Sequence, residues 1–441
     1  MNTQPNFVVI LTDDHGYGDL SCMGSQDFHT PHLDALAAGG ARFTSFYANA
    51  PVSSPTRAAL LTGRYPGNAG VRSILRGHRT STGLPSSVPT FARALRDAGY
   101  FTAMSGKWHL GLADGCRPRD HGFDQWFGHL AGCIDFFSHI FYWDKSIDPL
   151  HDLWDNDKEV WRNGQYMTQL ITERAIDYIR QAKARQQPFV LYVAYNAPHY
   201  PMHAPRKYLD RFPHLSPERR IMAAMISAVD DGVGDIVAEL ERQGVGDNTC
   251  VFFTSDNGPS RETRNWLDGR TDPYYGGTTG PFKGHKFSLF EGGLRVPGIA
   301  NFPRRFSPGQ VIDTPAASMD IMPTLLALAG VDARDLELNG ADLSGMLTQG
   351  APLPPRDLFF EQSNQTALRR GPWKLVLNGR LVETEGPVAD VFLANLDDDP
   401  AESRNLADSH PEKLGDLRAA AESWRQAIDA RWTAQWLPLQ T

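Results

Sequence analysis

Ser53-Ser54-Pro55-Thr56-Arg57, running on through Leu60 to Thr62-Gly63-Arg64, puts a hydroxyl at the mouth of a helix. Pro55 suits the first helical position, where a missing N–H costs nothing. Ala58, Ala59, Leu60 and Leu61 carry the helix on. Arg57 follows Ser53 by about one turn, so its guanidinium reaches an anion held at that end. Free N–H groups and the positive end of the helix dipole favour the same anion. Alone, the string is also an ordinary capped helix, so its surroundings decide.

Outward from it, short apolar runs predict buried strands at Phe7–Leu11, Phe189–Ala194, Cys250–Thr254 and Val296–Asn301. Helical patterns lie between them. Thr30-Pro31 opens one that stops at Gly39-Gly40, and Thr90–Ala98 is stopped by Gly99. Thr168–Ala184 is amphipathic, and Ser216-Pro217 opens a long helix with one apolar stripe. Strands alternating with helices predict an α/β core with a largely parallel sheet. After Pro352-Leu353-Pro354-Pro355 the texture changes to short antiparallel strands near Leu358–Glu361, Ala367–Arg370, Trp373–Leu377 and Val391–Leu393, then a helix over Pro411–Arg431. The expected division is 1–355 for the catalytic α/β domain and 356–441 for a C-terminal α+β subdomain. Two stretches lack periodicity, about Leu112–Gln165 and about Pro259–Lys286; long irregular segments of this kind form active-site walls.

The 441 residues carry a net charge of -8, which argues against a nucleic-acid partner and does not mark a membrane surface. No apolar run is long enough to span a bilayer. The chain enters its first strand without a basic-then-apolar signal segment, so the expected location is cytoplasmic, or periplasmic if a signal has been removed. Cys22, Cys116, Cys133 and Cys250 have no paired spacing and are expected to be free thiols.

Asp13-Asp14 directly follows the first strand, and Asp256-Asn257-Gly258 follows the strand at 250–254. Ligands of α/β sheets bind beyond the carboxyl ends of strands. Adjacent carboxylates repel, and a bound cation is a natural reason to place them there. An all-oxygen set suits Ca²⁺ or Mg²⁺ rather than zinc. Gly106-Lys107-Trp108-His109-Leu110-Gly111 holds a lysine and a histidine two apart, which point the same way on an extended segment. Ala197-Pro198-His199-Tyr200-Pro201 fixes a histidine between prolines after another strand. His203 is read as structural. Lys286 precedes Glu291-Gly292-Gly293 and Arg295-Val296-Pro297, with Lys283 and His285 as competitors nearby.

Taken together these islands resemble the type I sulfatases, whose signature is Cys/Ser-x-Pro-x-Arg-x-x-x-x-Thr-Gly-Arg. The resemblance implies an alkaline-phosphatase-like fold, with a large mixed sheet flanked by helices and a small C-terminal antiparallel sheet plus helix. It implies that Ser53 is oxidised to formylglycine, and that Asp13, Asp14, Asp256, Asn257 and the modified Ser53 hold a divalent cation. Arg57, Lys107 and Lys286 then neutralise the sulfate, His109 serves as base on the aldehyde hydrate, and His199 or Lys286 protonates the leaving oxygen. A plain serine would remain sulfated, whereas a geminal diol can expel sulfate. Ser53 in place of the commoner Cys is similar to bacterial serine-type enzymes, matured by an iron–sulfur radical partner. The closing Asn395-Leu396-Asp397-Asp398-Asp399-Pro400 turn also resembles the family. Two rivals stand beside this reading: a phosphate or phosphonate ester hydrolase of the same superfamily, and a non-catalytic sulfated-glycan-binding protein.

Gly122-Phe123-Asp124, Phe127-Gly128 and Asp135–His139 resemble the matching region of N-acetylgalactosamine-4-sulfatases. The wall carries Trp126, Phe136, Phe137, Tyr142 and Trp143 among Asp135, His139 and Asp144. About half of these aromatics are expected to be core. Asp135 and His139, harder to bury without partners, are expected to read a sugar beside the scissile ester.

Overall fold

The computed structural model describes residues 4–142, 148–261, 276–382, 386 and 388–439. Its main sheet contains β1 (Asn6–Thr12), β2 (Ala41–Tyr47), β3 (Phe101–Lys107), β4 (Gln125–His129), β5 (Phe189–Ala194), β6 (Thr249–Ser255) and β7 (Arg295–Asn301). Across the sheet the order is Gln310–Ile312, β2, β7, β6, β1, β5, β3, β4, then two short strands at Trp154–Asp155 and Lys158–Glu159. From β6 to β4 every neighbouring pair is parallel. β7 runs antiparallel to both β6 and β2, so the sheet is mixed.

β1, β5 and β6 are buried along their whole length. Their near-continuous apolar sequences follow from cover on both faces. That cover includes α1 (Pro31–Ala38), α2 (Ser53–Thr62), α3 (Phe91–Asp97), α4 (Met167–Arg185) and α5 (Pro217–Arg242). α4 and α5 pack on one another, and α5 also meets α1, where Asp230 accepts the backbone N–H groups of His32 and Leu33. All four cysteines are free. Among the described residues no helix is long and apolar enough to cross a membrane.

The C-terminal part is a meander of β8 (Asp357–Gln362), β9 (Gln365–Arg370), β10 (Trp373–Gly379) and β11 (Ala389–Asn395), with α6 (Pro411–Arg431) against it. A buried charged cluster joins it to the main sheet. Glu291 accepts from Tyr47 Oη (2.7 Å), Arg295 Nε (2.5 Å) and Lys374 Nζ (2.8 Å). Its backbone N–H donates to Glu402 Oε2 at 2.6 Å. Burial pushes Glu402 up to about 7. Against the same burial, Arg295 and Lys374 hold Glu291 well below the usual carboxylate range.

Three local readings change. Helix α2 begins at Ser53 itself, so Pro55 is its third residue; the first-turn N–H groups lack intrahelical partners, so proline is tolerated there as well. The stretch from Leu112 to Gln165 is not wholly irregular: β4 lies in it and pairs parallel with β3. Gln-Trp-Phe-Gly-His is too short and mixed to show a strand period. β3 ends at Lys107, and His109 lies beyond it with φ +54°. Strand alternation therefore does not align His109 with Lys107.

Candidate active site

β1 and β6 are neighbours in register, Thr12 beside Ser255, so their next residues emerge together at one edge. This sets Asp13 and Asp14 against Asp256 and Asn257. The backbone already ties them: Asp14 N–H donates to Asp256 Oδ1 at 3.1 Å. Ser53, at the head of α2, donates through Oγ to Asp13 Oδ1 (3.1 Å). From the end of β3, Lys107 Nζ reaches Asp13 Oδ2 (2.6 Å) and Ser53 Oγ (3.3 Å). Asp13, Asp256, Arg57 and Lys107 are all wholly buried.

Arg57 donates through Nε and Nη2 to Asp256 Oδ2 (3.1 and 2.8 Å) and through Nη1 to the Lys107 carbonyl (3.1 Å). It lies 3.7 Å from Asp13 Oδ1. The arginine is thus committed to the carboxylates, orienting Asp256 and the end of β3. Burial would raise Asp13, but Lys107 above all, with Arg57 beside it, reverses this and holds its carboxyl below the usual range. Burial and then the Asp13 charge push Asp256 up. Burial lowers the Lys107 ammonium in spite of Asp13.

On the opposite side Lys286 Nζ donates to Asp14 Oδ2 (3.0 Å) and lies 3.1 Å from His199 Nε2. Lys283 goes elsewhere, to the Glu402 carbonyl and the rings of Phe290 and Phe392. His199 Nδ1 is 2.5 Å from the Tyr200 carbonyl, which can only accept. Nδ1 therefore carries the proton, and Nε2 accepts from Lys286. His109 has the converse tautomer: Nε2 donates to the Leu75 carbonyl (3.2 Å), leaving Nδ1 as a buried lone pair without a partner among the described residues. Burial, reinforced by Lys107 and Arg57, holds His109 well below the ordinary imidazole range. It is a neutral base at physiological pH. The loop that fixes it is bound to the signature helix, since Leu75 N–H donates to Ser54 Oγ (3.1 Å). That loop, and the two carbonyls that set the tautomers, leave no mark in composition or spacing.

The donor set fits a divalent cation. Ligand atoms of Asp13, Asp14 and His199 lie within 4.8 Å of one another. Asn257 Nδ2 donates to Asp14 Oδ1 (2.6 Å) and to the Gly258 carbonyl (2.9 Å), which settles the amide's orientation. Its Oδ1 is left buried without a hydrogen-bond partner among the described residues. A buried acceptor without a donor costs about 1–3 kcal/mol, and a cation shared with the carboxylates would remove that cost.

The outer wall departs from expectation. Asp135 accepts backbone N–H groups from Phe137, Ser138 and Ile140 (3.0, 2.6 and 3.0 Å), which shapes its own turn. His139 is fully buried, with Nε2 on the Gln165 carbonyl at 3.1 Å. Their polarity serves the loop's internal bonds. Trp126 and Phe136 are core, whereas Phe137 and Tyr142 are half-buried. Trp143 and Asp144 lie outside the described residues. His203 packs on Phe136 and Phe137.

Residues 5–331 match the sulfatase family model. The chain is 36% identical over 389 residues to N-acetylgalactosamine-6-sulfatase of Rattus norvegicus, covering 84% of this chain and 71% of that protein. It is 35% identical to arylsulfatase A of Homo sapiens, over 83% of this chain and 72% of that one. The crystal structure of Ps i-CgsB in complex with k-i-k-neocarrahexaose superposes with a TM-score of 0.83 at 30% identity, over 99% and 98% of the two chains. With the fold, the catalytic edge and these relatives in agreement, the chain belongs to the sulfatase family and is a sulfuric ester hydrolase of alkaline-phosphatase-like architecture.

Proposed function

We propose that the protein hydrolyses a sulfate monoester on a carbohydrate, through Ser53 oxidised to formylglycine and a bound Ca²⁺ or Mg²⁺. The observation that carries this is Ser53 at the head of its buried helix, its Oγ shared between Asp13 and Lys107. The oxidised side chain would supply a hydrated aldehyde as nucleophile toward sulfur, and a serine-type maturase is the partner that would install it. The cation, held by Asp13, Asp14, Asp256, Asn257 and residue 53, would supply positive charge against the anionic ester. Relatives named for carbohydrate sulfates, and a neighbour solved with a carrageenan oligosaccharide, support the substrate class.

The chain's own groups divide the work. Lys107 and Lys286 each face a carboxylate, Asp13 and Asp14; with those carboxylates holding a cation, both ammonium groups would be available to the sulfate oxygens. Buried charge of this kind stabilises a developing anion without reorganisation. The Lys286–His199 pair holds one transferable proton for the leaving oxygen. His109 Nδ1, kept neutral, takes the proton that must leave before sulfate is expelled.

With Asp135 and His139 bonded within the loop, we assign Trp161 as a further sugar platform. It is 61% exposed and stacks on His151, with centroids 3.6 Å apart and planes 10° from parallel. Glu159 holds His151 Nδ1 at 2.9 Å and also meets Arg79 Nη2 at 3.4 Å. Arg79 lies four residues beyond Leu75, on the same loop that fixes His109. A rigid aromatic face flanked by charged groups suits a pyranose ring.

Protein from a host with the serine-type maturase should yield a Ser53 peptide lighter by two hydrogen atoms. Fully active protein with only unmodified serine would sink the mechanism. Calorimetry should detect one Ca²⁺ or Mg²⁺ site in the wild type, and a saturating excess of about 100 Kd should add about 2.7 kcal/mol of stability. Asp256→Ala should lose both effects while keeping its fold; an unchanged titration would refute the ligand set. Lys107→Ala and Lys286→Ala should each lower turnover by roughly 10² or more, while Lys283→Ala should do little. The reverse pattern would exchange the lysines' roles. Trp161→Ala should raise KM on a sulfated oligosaccharide by up to about tenfold, the scale of one aromatic contact, and leave aryl sulfate hydrolysis unchanged. Equal effects on both substrates would remove the platform.

A further inference from the structure

Lys286 sits on a loop whose backbone is gripped from several directions. Its own N–H donates to the Pro259 carbonyl (3.1 Å), just past Asp256 and Asn257. Phe287 N–H donates to the Pro51 carbonyl (2.9 Å), two residues before Ser53. His285 N–H donates to the Leu381 carbonyl (3.1 Å), beyond the end of β10. The remaining contact comes from a side chain: Gln365 Nε2, on the first residue of β9, donates to the Phe287 carbonyl at 3.0 Å. Gln365 is 3% exposed, and its Oε1 accepts from Arg380 N–H at 3.0 Å. A carbonyl on one side and an N–H on the other leave a single orientation for the amide.

Phe287 has φ +72°. For a residue with a Cβ the left-handed region costs roughly 1–2 kcal/mol, and such a conformation persists where its surroundings hold it. The bond to Pro51 holds the N–H side of Phe287 and Gln365 holds the carbonyl side. Without the second bond, Phe287 can relax toward negative φ, and the residue before it turns with the shared peptide. That residue is Lys286, whose Nζ lies against Asp14 and His199.

We propose that Gln365 is a positioning residue for Lys286, which makes the C-terminal sheet a working part of the sulfate site. The proposal rests on the reading of Lys286 as a sulfate-binding group. It also accounts for the polarity of a buried glutamine at a strand start, where Val or Thr would satisfy the sheet.

The test is a double-mutant cycle with kcat/KM on an aryl sulfate, normalised to the oxidised fraction of residue 53 by peptide mass spectrometry. Gln365→Glu keeps the acceptor for Arg380 and removes the donor to Phe287. Gln365→Leu removes both and covers the case in which a buried carboxylate fails to fold. In the wild-type background each should lower kcat/KM by roughly 10-fold to 100-fold, the scale for an Å-sized misplacement of a catalytic group. With Lys286→Ala already present, the same changes should cost less than about twofold, because the group they position is gone. Equal losses in both backgrounds, or wild-type kcat/KM in either glutamine variant, would overturn the proposal. Full activity of Lys286→Ala alone would instead overturn the sulfate-binding reading.

Discussion

Three carboxylates at one sheet edge repel one another, and the active-site architecture is organised around that repulsion. Asp13, Asp14 and Asp256 leave adjacent parallel strands at matching register. Two unit charges 4 Å apart interact by about 4 kcal/mol at an effective dielectric of about 20, so these acids require positive partners. Arg57, Lys107 and Lys286 provide them, each from a different element. Asn257 adds an acceptor that no donor meets among the described residues. The protein groups alone are near neutral in sum, and a bound divalent cation would tip the site positive, as suits an anionic ester.

Within that balance, two histidines are given opposite roles by backbone carbonyls. The Tyr200 carbonyl accepts a hydrogen bond from His199 Nδ1–H, leaving Nε2 toward Lys286. The Leu75 carbonyl accepts a hydrogen bond from His109 Nε2–H, leaving Nδ1 as a buried lone pair. One carbonyl is supplied by the residue after the histidine, the other by a loop bonded to Ser54. The two imidazoles thus differ in tautomer, the arrangement that the proposed mechanism would use, since one turnover must both donate and accept a proton.

The C-terminal sheet is tied into the same system. Lys374 from β10 and Glu402 beyond β11 meet Glu291 in a dry cluster. Removing one partner from such a cluster strands an uncompensated charge, which makes the junction sensitive to either side. Gln365 adds a neutral bond close to the chemistry, on the backbone that carries Lys286.

Much of this was legible in the chain. β5 and α6 lie where their apolar run and proline start place them, because burial on both faces and capping are local properties. Asp13-Asp14, Asp256-Asn257 and Ser53 were legible as strand-end and helix-start groups, and their convergence follows from strand order. Other features depend on partners distant in sequence. Polar type suggested a sugar contact for Asp135 and His139, but three backbone N–H groups and the Gln165 carbonyl take them up. Arg57 was readable as an anion contact, yet tertiary packing spends it on Asp256. The tautomers of His109 and His199, the exposure of Trp161 and the grip of Gln365 on Phe287 have no sequence signature. By itself, the sequence determined the elements and the chemistry at their ends, since periodicity, capping and charge are carried by neighbouring residues. Only the tertiary structure decided which polar group faces substrate and which is consumed by the fold, because a hydrogen bond is settled by whichever partner packing brings within about 3 Å.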